Sequence, residues 1–360
     1  MSEDVVGPLA ARLVRQDRAA QAVFPMFDAL PATERTSLPR PSGGPARAVE
    51  PDAYAQPSAG LYVYRLSRDG VHHVAVVAAV RVDAFVDGRV RGHEEVQPDR
   101  VEALVTHFES TEERSELVAL LHRPGPVFAR VLAESVQREP LLALEGPEEW
   151  QQSVWRVADD DVAALTEELS EAVHYIADGH HRVAASLGVW RRAGKPEGSA
   201  VMCALYPLDG LRLLAFHRRV VGPLDIAQLF RLLVASGHFE VTDLDDPEMS
   251  SGAFAVYVDG AWHDVAFTGE RAPGVAGLDV DLLDEHVLSE LVGSGAQVEV
   301  TSALTPIEEL VAACDADGGA LFALRPPSLD RLTEVADRGE VMPPKTTYFD
   351  PKPYAGIFVS

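Results

Sequence analysis

Residues 172–190, AVHYIADGHHRVAASLGVW, change their periodicity halfway along and so constrain the fold. His174 to Ala177 are aromatic, β-branched or small, as in a buried strand. After Asp178, the residues Val183, Leu187 and Trp190 recur at helical spacing, so the stretch reads as strand, tight turn and helix. A chain built on such a unit, with strand and helix signals alternating on both sides, is expected to be α/β, with α+β mixed sheets, rather than all-α or all-β.

The turn concentrates chemistry. Asp178 suits an N-cap, Gly179 permits close backbone approach, and the first N–H groups of a helix have no partner within it. Such an end attracts anions, and Arg182 with His180 and His181 can donate to phosphate oxygens. Taken singly, these residues are a cap, a satisfied histidine and a surface arginine. Clustered behind a buried strand they point to a ligand site, because α/β folds hold ligands at the carboxyl ends of strands. Asp and His also bind zinc or manganese, but neighbouring histidines diverge on a helix and no HxxxH spacing occurs.

Two other segments stand out. GHEEVQPDR brings His93, Glu94, Glu95, Asp99 and Arg100 just before a helix, where Glu94 fits a general base, a Mg²⁺ ligand or simply an acidic loop. MPPKTTYFDPKPYAGIFVS closes the chain and alternates Lys345 and Lys352 with prolines and aromatics. It is expected to dock back on the body instead of fraying.

Along the rest of the chain, a first helix is expected to about residue 30, with cap-like Asp28, Thr33 and Glu34, then a Pro/Gly-rich linker near 39–60. A hairpin turns at Asp69-Gly70; its His72 and His73 point to opposite strand faces and are expected to be structural. Val101, Leu104, Val105 and Phe108 predict a helix from near Pro98. PGPVFARVLAE reads as strand-like, SAVMCALYPL and LRLLAFHRRVV as a strand pair, and Ile226 to Ser236 as a helix. The expected organisation is 1–60 N-terminal helix and linker, 61–220 core with the HE and DGHHR motifs, 221–340 a second α/β region, and 341–360 the docking C-terminal segment.

The 360 residues, 47% of them hydrophobic, suffice for more than one packing unit. With 31 basic against 56 acidic residues the formal net charge is -25, which repels phosphate backbones and anionic lipid, so no nucleic acid or membrane partner is expected. Two cysteines far apart, an acidic N-terminus and the lack of a bilayer-length apolar run fit the cytoplasm.

The YIADGHHR turn, the upstream GRVRGHEEVQPDR, the YVYR strand, FHRRV and the closing MPPKTTYFDPKPYAGI together resemble the DUF1015 family, and FDALPATERTSL resembles its early segment. The family's DGHHR turn is similar to the phosphate loop of the ParB/sulfiredoxin superfamily, which includes free-serine kinases. The resemblance implies a ParB/sulfiredoxin-like core that binds a nucleotide, ADP or ATP, with Mg²⁺. Asp178, Gly179, His180, His181 and Arg182 would form the nucleotide site, with Lys345 closing over it. Asp178 would take the metal, and His93, Glu94 and His181 the catalytic roles. The chain departs from the family in reading Glu95-Val96-Gln97 where a threonine usually follows the HE pair. His180, not cysteine, precedes His181, which excludes sulfiredoxin-type cysteine chemistry.

These features imply a nucleotide-dependent phosphotransferase acting on a small hydroxylated metabolite such as free serine. Two alternatives stand beside it: a non-catalytic nucleotide or metabolite-binding regulator, and a metal-dependent hydrolase using His93, Glu94, Asp178, His180 and His181.

Overall fold

A computed structural model of the chain describes residues 4–25, 51–56, 58–111, 113–146, 149–235 and 237–360. The expected caps Asp28, Thr33 and Glu34 and the linker positions 39–50 lie outside the described residues. The architecture is mixed α/β, and the chain divides into two compact units. Among the described residues, the first unit takes those up to Arg212 together with Phe349–Ser360, and the second takes Leu213–Tyr348.

The first unit is organised by a nine-stranded mixed sheet. Its order is Val90–Arg91, His174–Asp178, Val118–His122, Ala200–Pro207, Val71–Arg81, Tyr62–Arg68, Gln151–Arg156 and Leu142–Glu145, with Val6–Gly7 also pairing on Val71–Arg81. His174–Asp178 runs parallel to Val90–Arg91 and antiparallel to Val118–His122. The central strands are nearly continuous apolar runs, as expected of strands covered on both faces. Val76, Val80, Val118, Leu120 and Ile176 are buried in one core with Phe128 and Val131 from the helix Pro126–Ser135 and Leu165 and Leu169 from the helix Asp159–Glu171.

The helices Pro98–Ser110 and His180–Arg192 share a smaller core of Leu104, Val105, Phe108 and Ala185. A Cβ on Gly188 would come within 2.8 Å of Val105 Cγ2, so the small residues of VAASLG serve this helix-to-helix contact. A three-stranded sheet joins Phe358–Val359, Leu9–Leu13 and Ser58–Gly60, and carries the C-terminal residues.

The second unit has a six-stranded antiparallel sheet in the order Phe239–Leu244, Ala261–Phe267, Phe254–Val258, Ala320–Leu324, Arg218–Val221 and Gln297–Val300. Its helices include Ile226–Ala235, Ile307–Asp317 and Leu329–Asp337. Among the described residues no helix is long and apolar enough to cross a membrane.

Three local expectations are corrected. The segment expected to open as a helix contains the strands Val6–Gly7 and Leu9–Leu13. Sheet partners on Val71–Arg81 and Ser58–Gly60 decide this over its helical spacing. The strand-like PGPVFARVLAE is the helix Pro126–Ser135, with proline in its first turn and Phe128 and Val131 buried one turn apart. The strands of SAVMCALYPL and LRLLAFHRRVV do not pair with each other. Ala200–Pro207 lies between Val71–Arg81 and Val118–His122, while Arg218–Val221 belongs to the second unit's sheet.

Candidate functional site at the strand-to-helix turn

The strand His174–Asp178 shifts register against Val118–His122 between Ile176 and Asp178, a bulge of the kind that re-aims the side chain behind it. Gly179 follows with φ +107°, open to glycine and strained for any residue with a Cβ, which here would also meet Val118 Cγ2 at 3.2 Å. The helix starts at His180, with Gly179 as its N-cap residue. Its first backbone N–H groups have no partner within the helix itself.

Asp178 is paired with two cations. Its Oδ2 accepts from Arg182 and its Oδ1 stands 2.8 Å from Lys352 Nζ. All three side chains are largely withdrawn from solvent, at 15% exposed for Asp178, 12% for Arg182 and 9% for Lys352. Arg182 also donates to the Leu117 carbonyl at 2.5 Å, which fixes its guanidinium between the two strand ends. With the Glu94 carboxylate 3.6 Å from His180 Nδ1, two carboxylates and two cations surround the helix start.

The HE segment meets this turn through its backbone. The His93 N–H donates to His180 Nε2 at 3.3 Å, and the Gln97 N–H donates to His181 Nε2 at 3.0 Å. Since Nε2 accepts in both rings, each neutral imidazole carries its proton on Nδ1. His180 Nδ1 lies 3.6 Å from Glu94 Oε2, and the His93 and His180 rings meet edge to face at 4.7 Å. Burial, reinforced by His93, His181 and Arg182, holds His180 well below the usual imidazole range, and burial alone brings His93 down to about 4. Both are neutral at pH 7, so Glu94 faces a neutral N–H donor. Gly92 admits this approach, since a Cβ there would come within 3.2 Å of His180 Cδ2.

The structure thus brings together His93, Glu94, Asp178, Gly179, His180, His181 and Arg182. Both imidazoles accept backbone N–H groups through Nε2, which leaves Nδ1–H as the ring donor in each. Lys345 belongs to the second unit, where its Nζ lies 5.3 Å from the Phe216 ring centroid and its carbonyl accepts from Arg218 at 3.2 Å. The lysine at Asp178 is Lys352, which sequence spacing alone did not single out from its neighbour in the same proline-rich segment. With its oxygens on two cations, Asp178 does not fit the metal-ligand role expected of it. Among the described residues, no three His, Cys, Asp or Glu side chains stand together as a metal-binding group.

Arg182 also lines a cavity of about 350 Å³ that runs beside its helix, with Phe108, Val189, Trp190 and Met202 as apolar walls and Arg114 at its edge. Its volume lies in the range of small-molecule sites.

The sequence profile of the family described as "protein of unknown function (DUF1015)" matches residues 53–284, and the chain belongs to this family. No curated protein matches the chain. Among solved structures, it is similar to a free serine kinase in complex with AMP, at 16% identity and a TM-score of 0.39, covering 76% of this chain and 86% of that one. It is also similar to SbnI with a C-terminal truncation from Staphylococcus aureus, at 12% identity and a TM-score of 0.42, covering 76% and 82%. A third is a conserved hypothetical protein from Pyrococcus furiosus, at 15% identity and a TM-score of 0.37, covering 78% and 93%.

Proposed function

We propose that the chain is a nucleotide-dependent phosphotransferase that takes ADP or ATP and phosphorylates a small hydroxylated metabolite, a free amino acid such as serine being the model acceptor. The observation that carries this reading is the trio Asp178, Arg182 and Lys352 beside the helix start, with Glu94 3.6 Å from His180. Backbone N–H groups at 180–182 and the two cations receive phosphate oxygens, and Asp178 holds the cations in place before a ligand arrives. The apolar cavity along the same helix suits the nucleoside.

Glu94 is the base. The acceptor oxygen attacks the terminal phosphorus, the bond to the bridging phosphate oxygen breaks, and the acceptor's hydroxyl proton passes to Glu94. His180 acts as a positioning residue, its Nδ1–H directed at the Glu94 carboxylate. His181 anchors the 93–97 loop to the turn through Gln97. No step is routed through a divalent ion, because Asp178 is already neutralised by Arg182 and Lys352.

That same neutralisation favours a second reading, a regulator that binds the nucleotide without transferring phosphate. Thermal-shift titration with ATP, ADP, AMP and CTP on the wild type and Lys352→Ala, followed by mass spectrometry of acceptor mixtures, separates the two. Stabilisation lost in the variant, together with a phosphorylated product, supports the phosphotransferase. Stabilisation without product supports the regulator, and no stabilisation by any nucleotide overturns both.

A further inference from the structure

The second unit contains a cavity of its own, about 190 Å³, or roughly six water volumes. Residues 213–348 carry 23 acidic side chains and only eight lysines and arginines. Three of those eight, Arg271, Arg325 and Arg331, line this one cavity. So strong a local reversal of charge in an acidic unit is the signature of an anion site rather than of a solvated surface.

The wall is built to hold two of the guanidiniums still. Arg331 Nη2 donates to the carbonyls of Ala272 and Gly274, each at 3.0 Å, and its Nη1 donates to Glu334 at 2.7 Å. The loop closes so tightly around it that a Cβ on Gly277 would fall 2.3 Å from Arg331 Nη2. Arg271 donates to the Gly277 carbonyl at 2.8 Å and pairs with Asp279 at 2.6 Å. Arg325 differs: it is exposed, and among the described residues it has no hydrogen bond or ion pair.

The charge balance selects the ligand. Asp279 pairs with Arg271 and also feels Arg325, and Glu334 pairs with Arg331, so three guanidiniums stand against two carboxylates and one positive charge is left over. A single extra positive charge matches a carboxylate and undercompensates a phosphate dianion. Leu324, Pro326 and Pro327 supply an apolar flank, and Asp279 offers an acceptor on the opposite chemistry.

We propose that this cavity binds a small organic monocarboxylate, its carboxylate on Arg325, its carbon chain along Leu324 and Pro327, and an α-hydroxyl or α-ammonium group donating to Asp279. The site is independent of the strand-to-helix turn and stands or falls separately from the nucleotide reading. Isothermal titration of the full chain with acetate, L-lactate, L-alanine and inorganic phosphate tests it. L-lactate or L-alanine should bind more tightly than acetate or phosphate. Arg325→Ala should weaken that binding by about tenfold or more, the loss of one charge-assisted hydrogen bond. Because Arg325 makes no hydrogen bond or ion pair among the described residues, the ligand-free variant should melt with the wild type. Tighter binding of phosphate, equal binding of acetate, undiminished binding by Arg325→Ala, or no binding in the millimolar range would each overturn the proposal.

Discussion

Lys352 Nζ lies 2.8 Å from Asp178 Oδ1, joining the C-terminal segment to the turn between a central strand and its following helix. The contact is made possible by the return of Phe349–Ser360 to the first unit, where Phe358–Val359 pairs with Leu9–Leu13. A lysine at that position adds a second cation to a carboxylate held in a largely dry setting.

Lys352→Ala should therefore act on both stability and binding. Removing one of two cations from a mostly buried carboxylate is expected to cost about 1–3 kcal/mol in urea denaturation, with Arg182 limiting the loss. Nucleotide affinity should fall by about tenfold or more, since a charged phosphate contact is removed. Lys345→Ala, by comparison, should leave nucleotide affinity near that of the wild type.

Glu94→Gln keeps the shape of the side chain and its place 3.6 Å from His180 but removes the base. Phosphoryl transfer should drop by about 100-fold or more while nucleotide affinity stays within a few-fold of the wild type. Parallel losses of turnover and affinity would assign Glu94 to binding rather than proton transfer.

At Gly179, φ of +107° and the nearness of Val118 leave no room for a side chain. Gly179→Ala is expected to lose about 1–3 kcal/mol of stability through backbone strain. It should also lose nucleotide-induced stabilisation, because the following N–H groups are displaced. A variant that melts and binds like the wild type would show that the turn tolerates a different backbone path.

Four buried histidines make the first unit sensitive to acid, His180 among them, held well below its ordinary range chiefly by burial. Burial brings His93 and His174 to about 4, and burial with the neighbouring His174 brings His122 to about 3, from an ordinary value of 6.5. Below 6.5 the unfolded chain binds protons that the folded chain refuses, so stability is complete above that pH and is lost as pH falls toward 4. The expected slope is on the order of 1 kcal/mol per pH unit for each histidine. Urea midpoints at pH 7 and pH 5 measure it, and His122→Leu, which removes one of the four, should flatten the dependence. An unchanged slope in that variant would assign the acid sensitivity elsewhere.

Much of the local structure is legible in the chain itself. Apolar runs of Val, Ala and Leu at 71–81 and 118–122 mark covered strands, and the spacing of Val101, Leu104, Val105 and Phe108 marks a helix, because these patterns reflect burial on faces set by backbone geometry. The errors have physical causes. Val127 and Phe128 suit a strand as readily as a helix, and Pro126 at the first helical position decided between them. Leu9–Leu13 became a strand because two partners distant in sequence supplied its hydrogen bonds.

At the site, the sequence by itself determined the turn: a strand ending at Asp178, a glycine able to take positive φ, and a helix carrying Arg182 one turn in. These follow from contacts among neighbours, which residue order dictates. Tertiary structure decided what each group is for. It set Lys352 rather than Lys345 on Asp178, turned both imidazoles toward the backbone of the 93–97 loop, and brought Glu94 to His180. Those choices depend on sheet order and on the path of the C-terminal segment, and distance along the chain carries no information about either.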